Sequence, residues 1–231
     1  CGRRAHCPHF GLLVGQQEGL ESLGLVGLLV KHSPDVGTAL ERLVRHLAVH
    51  VRGACARLTL TERLAILTWE LYAPGLDAVE LVGDGAIAVY YNILHELCGP
   101  DWRPAEVHLA RRTPADTGPY RRFFRVPLRF DAEEFALLFP RRWLAHRLPP
   151  VDDALRRLLQ DQIDLLEAQN PGDFPEQVRS MLRTALATGR SSAGQIAALF
   201  GMHSRTLTRR LNASGTNFQQ LLDETRFEIS R

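Results

Sequence analysis

Apolar residues recur at helical spacing over several long stretches of this chain and at strand spacing over a few short ones. Val36, Leu40, Leu43, Val44, Leu47 and Val51 fall on one helical face. Ser33-Pro34, at the end of the apolar run Gly24 to Pro34, supplies a cap and a proline for that helix, predicting it to about His50. Ala54–Leu60 and Arg63–Leu71 are rich in β-branched and apolar residues, predicting two strands with Thr61-Glu62 as the hairpin turn. A second long helix is predicted from Asp77 to about Cys98, with Val79, Val82, Ala86, Val89, Ile93, Leu94 and Leu97 inward. Gly83 and Gly85 weaken its first half, and Gly99-Pro100 stops it. Strand-like segments return at Glu106–Leu109 and Phe124–Arg129, with one helical turn expected around Tyr120 between them. Asp131–Pro140 and Trp143–Leu148 complete this part, whereas Gly11 to Gly19 shows no clear period. Hairpin, helix and further strands predict an α+β domain with an antiparallel sheet rather than regular βαβ alternation.

Leu148-Pro149-Pro150 breaks the pattern, and everything beyond it is helical. Leu155, Leu158, Leu159, Ile163 and Leu166 make one stripe along Val151–Gln169, so this helix either packs on its own domain or pairs with its copy in a second subunit. Asn170-Pro171-Gly172-Asp173 is a turn-forming linker. A helix over Pro175–Ala187 follows, with Val178, Met181, Leu182 and Leu186 inward. The expected division is the α+β domain over 1–150, a linker helix and hinge over 151–173, and an all-α unit over 174–231.

Within that last unit, Ser192–Leu211 has the spacing of a helix-turn-helix. Ser192 and Gln195 stand at capping-box spacing, Ile196, Ala197, Leu199 and Phe200 give the first helix its apolar face, and Gly201 suits the turn. Ser204 is placed to cap the second helix, whose Leu207 and Leu211 face inward. His203, Ser204, Arg205, Thr208 and Arg209 are left pointing outward. Such a helix enters the major groove of double-stranded DNA, where a guanidinium bonds bidentately to guanine O6 and N7. Arg205 and Arg209 are therefore the expected base readers, with Ser204, Thr208 and His203 as lesser candidates. Arg210 is either a phosphate contact or a surface ion pair, and Arg190 is a phosphate candidate.

Composition sharpens this in one respect. The chain has 231 residues and a net charge of only +2, but eight Arg against one Asp and three Glu lie from Phe174 onward, a net of +4. The remaining 173 residues therefore carry −2, so the basic share sits where DNA phosphates would be met. No apolar run is long enough for a membrane span and no signal core is present, which predicts a cytoplasmic protein without membrane contact. Four scattered cysteines form no disulfide framework. His6, Cys7 and His9 lack a second ligand pair, so no metal site is expected. Without a nucleophile and base at recognisable spacing, or a Gly-rich phosphate loop, neither an enzyme nor a cofactor is expected.

The segment QIAALFGMHSRTLTRRLNASGTNFQQLLDETRFEISR resembles the bacterial AraC/XylS-type transcriptional regulators, specifically the first of their two helix-turn-helix subdomains and the start of the connecting helix. In this reading Thr216-x-x-Gln219 caps the connecting helix, Phe218 and Leu221-Leu222 pack it down, and Arg226 matches a usual basic position. The stretches GLVGLLVKHSPDVGTALERL, LCGPDWRPAEVHL and PYRRFFRVPLRFDAEEFALLF resemble the family's arabinose-binding-type N-terminal domain. The resemblance implies a sequence-specific, effector-responsive DNA-binding regulator and a homodimer, with RNA polymerase a further candidate partner. It also implies a chain cut before the second helix-turn-helix, and the start at Cys1 marks residues 1–10 as the remnant of a longer leader. The alternative is a ligand-binding and dimerisation module whose helical C-terminal part contacts protein rather than DNA. For the small-molecule effector, the aromatic residues Trp69, Tyr72, Tyr90, Tyr91, Trp102, Tyr120 and Phe123 are either pocket lining or plain core. His95 with Glu96, or His108 with Arg111-Arg112, is a candidate for binding a carboxylate or for acid–base chemistry.

Overall fold

The computed structural model describes residues 7–51, 54–71, 78–149, 153–169, 173–187, 191–200 and 202–229. Two short helices, α1 (Phe10–Gly15) and α2 (Leu25–Lys31), lead into the long amphipathic α3 (Val36–His50). Asp35 caps α3, its carboxylate accepting from Thr38 N at 2.8 Å. The expected cap, Ser33, instead donates its hydroxyl back to Leu29 O and accepts from Arg42, because it is buried at the end of α2.

The hairpin falls close to its predicted place, as β1 (Ala54–Leu60) and β2 (Leu64–Leu71) in antiparallel register from Ala54 opposite Leu71 to Leu60 opposite Ala65. Then come α4 (Val79–Cys98), β3 (Glu106–His108), α5 (Gly118–Phe124), β4 (Leu128–Arg129) and β5 (Phe135–Pro140). The sheet order is β1-β2-β5-β3-β4, antiparallel except for the β3–β4 pair, so the fold is α+β. The strand expected over Phe124–Arg129 shrinks to two residues, because Phe124 closes α5 and is completely buried.

In α4 the inward face is rotated from the expected one. Val82 is exposed, while Asp84, Ile87, Ala88, Tyr90 and Tyr91 join Ile93, Leu94 and Leu97 inside. The cause is close packing on two sides of the glycine-bearing turn. A Cβ on Gly83 would lie 2.2 Å from two Phe135 ring atoms, and one on Gly11 would lie 1.7 Å from Leu81 O, where α1 crosses α4. Glycines that a propensity count scores as helix-weakening are the places where a ring and a second backbone approach.

α6 (Asp153–Gln169) packs on α2 and α3, placing Leu159 and Ile163 in the same apolar core as the sheet. Its expected stripe splits: Leu155 and Leu158 are 40% and 55% exposed, Leu165 outside that stripe is 50% exposed, and the Leu166 side chain lies outside the described residues. The remaining helices, α7 (Asp173–Ala187), α8 (Ala193–Leu199), α9 (Ser204–Ala213) and α10 (Phe218–Ile229), enclose a second core of Phe174, Val178, Met181, Leu182, Ile196, Ala197, Phe200, Leu207, Leu211, Leu221 and Leu222. Cys55, at the start of β1, belongs to that second core, where β1 meets α8.

Candidate nucleic-acid interface and effector domain

α8 opens on the capping box its sequence predicts. Ser192 Oγ accepts from Gln195 N at 3.3 Å, and Gln195 Oε1 accepts from Ser192 N at 3.1 Å. The turn then closes by a hydrogen bond from Met202 N to Ala197 O at 3.0 Å. Ala197 is buried where α8 meets α9, so the two helices approach over a methyl group.

The second helix starts differently from the expected way. His203, in extended backbone, takes the N-cap position, and its carbonyl accepts from Thr206 N and Leu207 N. Its side chain makes no capping bond, and Ser204 becomes the first helical residue, with its carbonyl accepting from Thr208 Oγ1. Because no side chain caps it, the N-terminal turn of α9 keeps its positive dipole end turned to solvent.

Leu207 and Leu211 anchor α9 with no exposed surface. On its outer side His203, Ser204, Arg205, Thr208 and Arg209 are all exposed. Arg205 and Arg209 are four residues apart and so lie on one face. Asn212, also exposed, lies seven beyond Arg205 and extends that face by a turn. The sequence reading missed it, although the same i, i+4, i+7 count would have found it. Arg210 is turned the other way, with its guanidinium 4.1 Å from the centre of the Phe174 ring, which itself packs on Phe200. Arg190, Gly201 and Tyr72 lie outside the described residues.

α9 ends in a Schellman turn. Gly215, at φ +75°, donates to Asn212 O, and Thr216 N donates to Leu211 O. That turn holds Thr216 back, so the cap of α10 moves one residue on from the expected Thr216–Gln219. Asn217 Oδ1 accepts from Gln220 N at 3.0 Å, and Gln220 Oε1 accepts from Asn217 N at 3.2 Å. Two ion pairs, Arg179–Glu224 at 2.9 Å and Arg183–Glu228 at 3.0 Å, join α7 to α10, while Leu221 and Leu222 pack inward.

In the larger core the aromatic candidates separate into different places. Tyr91, Trp102, Phe123 and Phe124 form an edge-to-face cluster with centroids 5.0 to 5.5 Å from Tyr91, and His95 stacks on Tyr91 at 6.1 Å. Trp69 instead meets Phe135, and Tyr90 is buried with its hydroxyl unpartnered among the described residues.

Tyr120 belongs to an ionic cluster the sequence did not reveal. Its hydroxyl donates to Asp84 Oδ2 at 2.6 Å, and Arg111 donates to that same oxygen, to Tyr120 Oη at 2.5 Å and to Pro8 O at 3.1 Å. Asp84 is fully buried and its Oδ1 has no partner among the described residues. Burial pushes the Asp84 carboxyl up to about 6, outweighing the Tyr120 and Arg111 hydrogen bonds and the Arg111 charge, which pull it down. The only sequence signal was a carboxylate between two glycines in the apolar middle of α4. Among the described residues no group of three metal-ligating side chains occurs, and no helix is long and apolar enough to cross a membrane.

Residues 2–148 match the family described as the arabinose-binding domain of AraC transcription regulator, N-terminal. Over 223 residues the chain is 26% identical to the HTH-type transcriptional regulator VirS of Mycobacterium tuberculosis, covering 95% of this chain and 65% of that protein. It is 25% identical over 242 residues to the Ornithine utilization regulator of Pseudomonas aeruginosa, covering 96% of this chain and 66% of that protein. The chain thus spans about two thirds of the length of these relatives. A crystal structure of transcriptional regulator CdpR from Pseudomonas aeruginosa superposes with a TM-score of 0.56 at 20% identity, covering 96% of this chain and 72% of that one, and shows a shared fold.

Proposed function

The chain belongs to the AraC-type transcription regulators that carry the arabinose-binding N-terminal domain, and from that premise we propose that it is a sequence-specific DNA-binding regulator answering to a small-molecule effector. The observation that carries this reading is the outer face of α9, where Arg205, Thr208, Arg209 and Asn212 stand exposed on a helix anchored by Leu207 and Leu211. Arg205 and Arg209 read base edges in the major groove of double-stranded DNA. Ser204 and His203, with the uncapped first turn, meet phosphate. Residues 1–150 form the effector-binding domain, 151–173 the linker helix and 174–231 the DNA-reading unit. The protein works in the cytoplasm, where DNA and RNA polymerase are its partners.

The same reading makes it a homodimer. Leu155, Leu158 and Leu165 remain exposed on α6 after Leu159 and Ile163 have been buried, and the spacings of three and seven suit a helix–helix seam with a second copy.

Selection of binding sites from a random duplex pool tests the proposal. The wild type is expected to enrich a defined sequence, and Arg205→Ala and Arg209→Ala to relax it at different positions, each losing about 1–3 kcal/mol of discrimination. An unenriched pool, or the same site with all three proteins, would support the protein-contact alternative.

A further inference from the structure

The tip of the β1–β2 hairpin carries a feature that the DNA-reading proposal does not use. A surface cavity of about 660 Å³ is lined by Glu62, Arg63, Leu64, Pro140, Arg141 and Arg142. The depression is open to solvent over much of its extent. Three arginines and one glutamate are among its six lining residues.

The frame is well tied. Thr61 N and Thr61 Oγ1 both donate to Leu64 O, and Leu64 N donates to Thr61 Oγ1, closing the turn. Arg141 N donates to Arg63 O at 2.9 Å, and its guanidinium donates to Thr61 O at 3.2 Å, so the end of β5 is fixed to the hairpin. Leu64 stands opposite Pro140 in the register and gives the cavity an apolar wall. By contrast, the exposed side chains of Arg63 and Arg142 make no hydrogen bond or ion pair with any described residue. Two uncommitted guanidinium forks beside an apolar wall are matched by a phosphate group carrying a flat or apolar body. The cavity is also remote from α9: Cys55, which meets the second core, lies at the other end of β1, about 20 Å of strand away.

We propose that the Arg63–Arg141–Arg142 cavity binds a small phosphate-bearing anion, separately from the DNA contacts of α9. Arg63 and Arg142 fork the phosphate oxygens, Arg141 holds the frame, and Leu64 with Pro140 seats the body of the ligand. The inference does not depend on α9 reading DNA.

Isothermal titration of the whole 231-residue chain with pyrophosphate, ATP and adenosine tests it. Both phosphates are expected to bind saturably and more weakly as salt rises, and adenosine not to bind. ATP binding more tightly than pyrophosphate identifies an organic phosphate as the occupant, and equal affinity identifies the inorganic one. The double variant Arg63→Gln/Arg142→Gln should lose at least tenfold in affinity with its circular dichroism unchanged. Glu62→Gln should bind severalfold more tightly, because it removes the one opposing charge. No saturable binding by the wild type, or unchanged affinity in both variants, would overturn the proposal. So would a double variant that loses affinity for random duplex DNA while the wild type ignores both phosphates, since the arginines would then belong to a DNA backbone contact.

Discussion

Two arginines one residue apart, Arg209 and Arg210, have opposite surroundings, and this separates reading from folding at single-residue scale. Arg209 is exposed beside Arg205, whereas Arg210 lies over Phe174. Replacing Arg210 with Ala is expected to cost stability by about 1 kcal/mol, through the lost cation–π contact and stem packing, and to leave the selected DNA sequence unchanged. Chemical unfolding and site selection on the same protein check both halves. Asp84 gives a prediction of a different kind. Its folded-state pKa, raised to about 6 by burial, exceeds the ordinary carboxylate value, so the folded state holds a proton that the unfolded chain releases. Its stabilising contribution is full below about pH 4 and is lost as pH rises through about 6. The stability difference between wild type and Asp84→Asn should therefore shift against the wild type across that window, by an amount on the order of a few kcal/mol. Urea titrations of both proteins at intervals from pH 4 to pH 7 measure it, and a difference independent of pH would contradict the assignment.

At the scale of elements, what could be read from the sequence follows from how local the cause is. Capping of α8 is local, and Ser192 with Gln195 supplies it within four residues. The hairpin is nearly as local, because β-branched runs and a short turn specify it. Errors arise where a distant partner decides. Ser33 is the better cap by sequence order, but its burial under α2 hands the task to Asp35. In α4 the periodic valines suggest one face, yet Phe135 from β5 and α1 from the other side select the face that bears the glycines. The same logic makes Gly83→Ala costly by roughly 1–3 kcal/mol or more, through collision with the Phe135 ring. A thermal melt should show the loss, and Phe135→Leu in the same chain should recover part of it by making room. For α9, exposure of Arg205 and Arg209 was legible from spacing. The inward turn of Arg210 onto α7 and the Asp84–Arg111–Tyr120 cluster were not, since each depends on a residue distant in sequence.

For the molecule as a whole, two cores and one half-buried helix define how the parts are used. The sheet core includes Leu159 and Ile163 of α6, the second core holds α7 to α10, and Cys55 ties β1 to the latter. The leucines that α6 leaves outside are the proposed seam with a second copy. Changing Leu158 and Leu165 together to Glu is expected to convert a dimer to a monomer in sedimentation equilibrium without loss of helicity, because neither side chain supports the core. A wild type that sediments as a monomer would rule out the seam. The central claim is that the exposed face of α9 discriminates between DNA sequences. Its most direct test is the ratio of affinities for the selected site and for a scrambled duplex, measured at one fixed salt concentration. The ratio is expected to be at least about a hundred for the wild type and to fall towards unity for Arg205→Ala/Arg209→Ala with its helicity retained. A ratio left unchanged by that double substitution would contradict it.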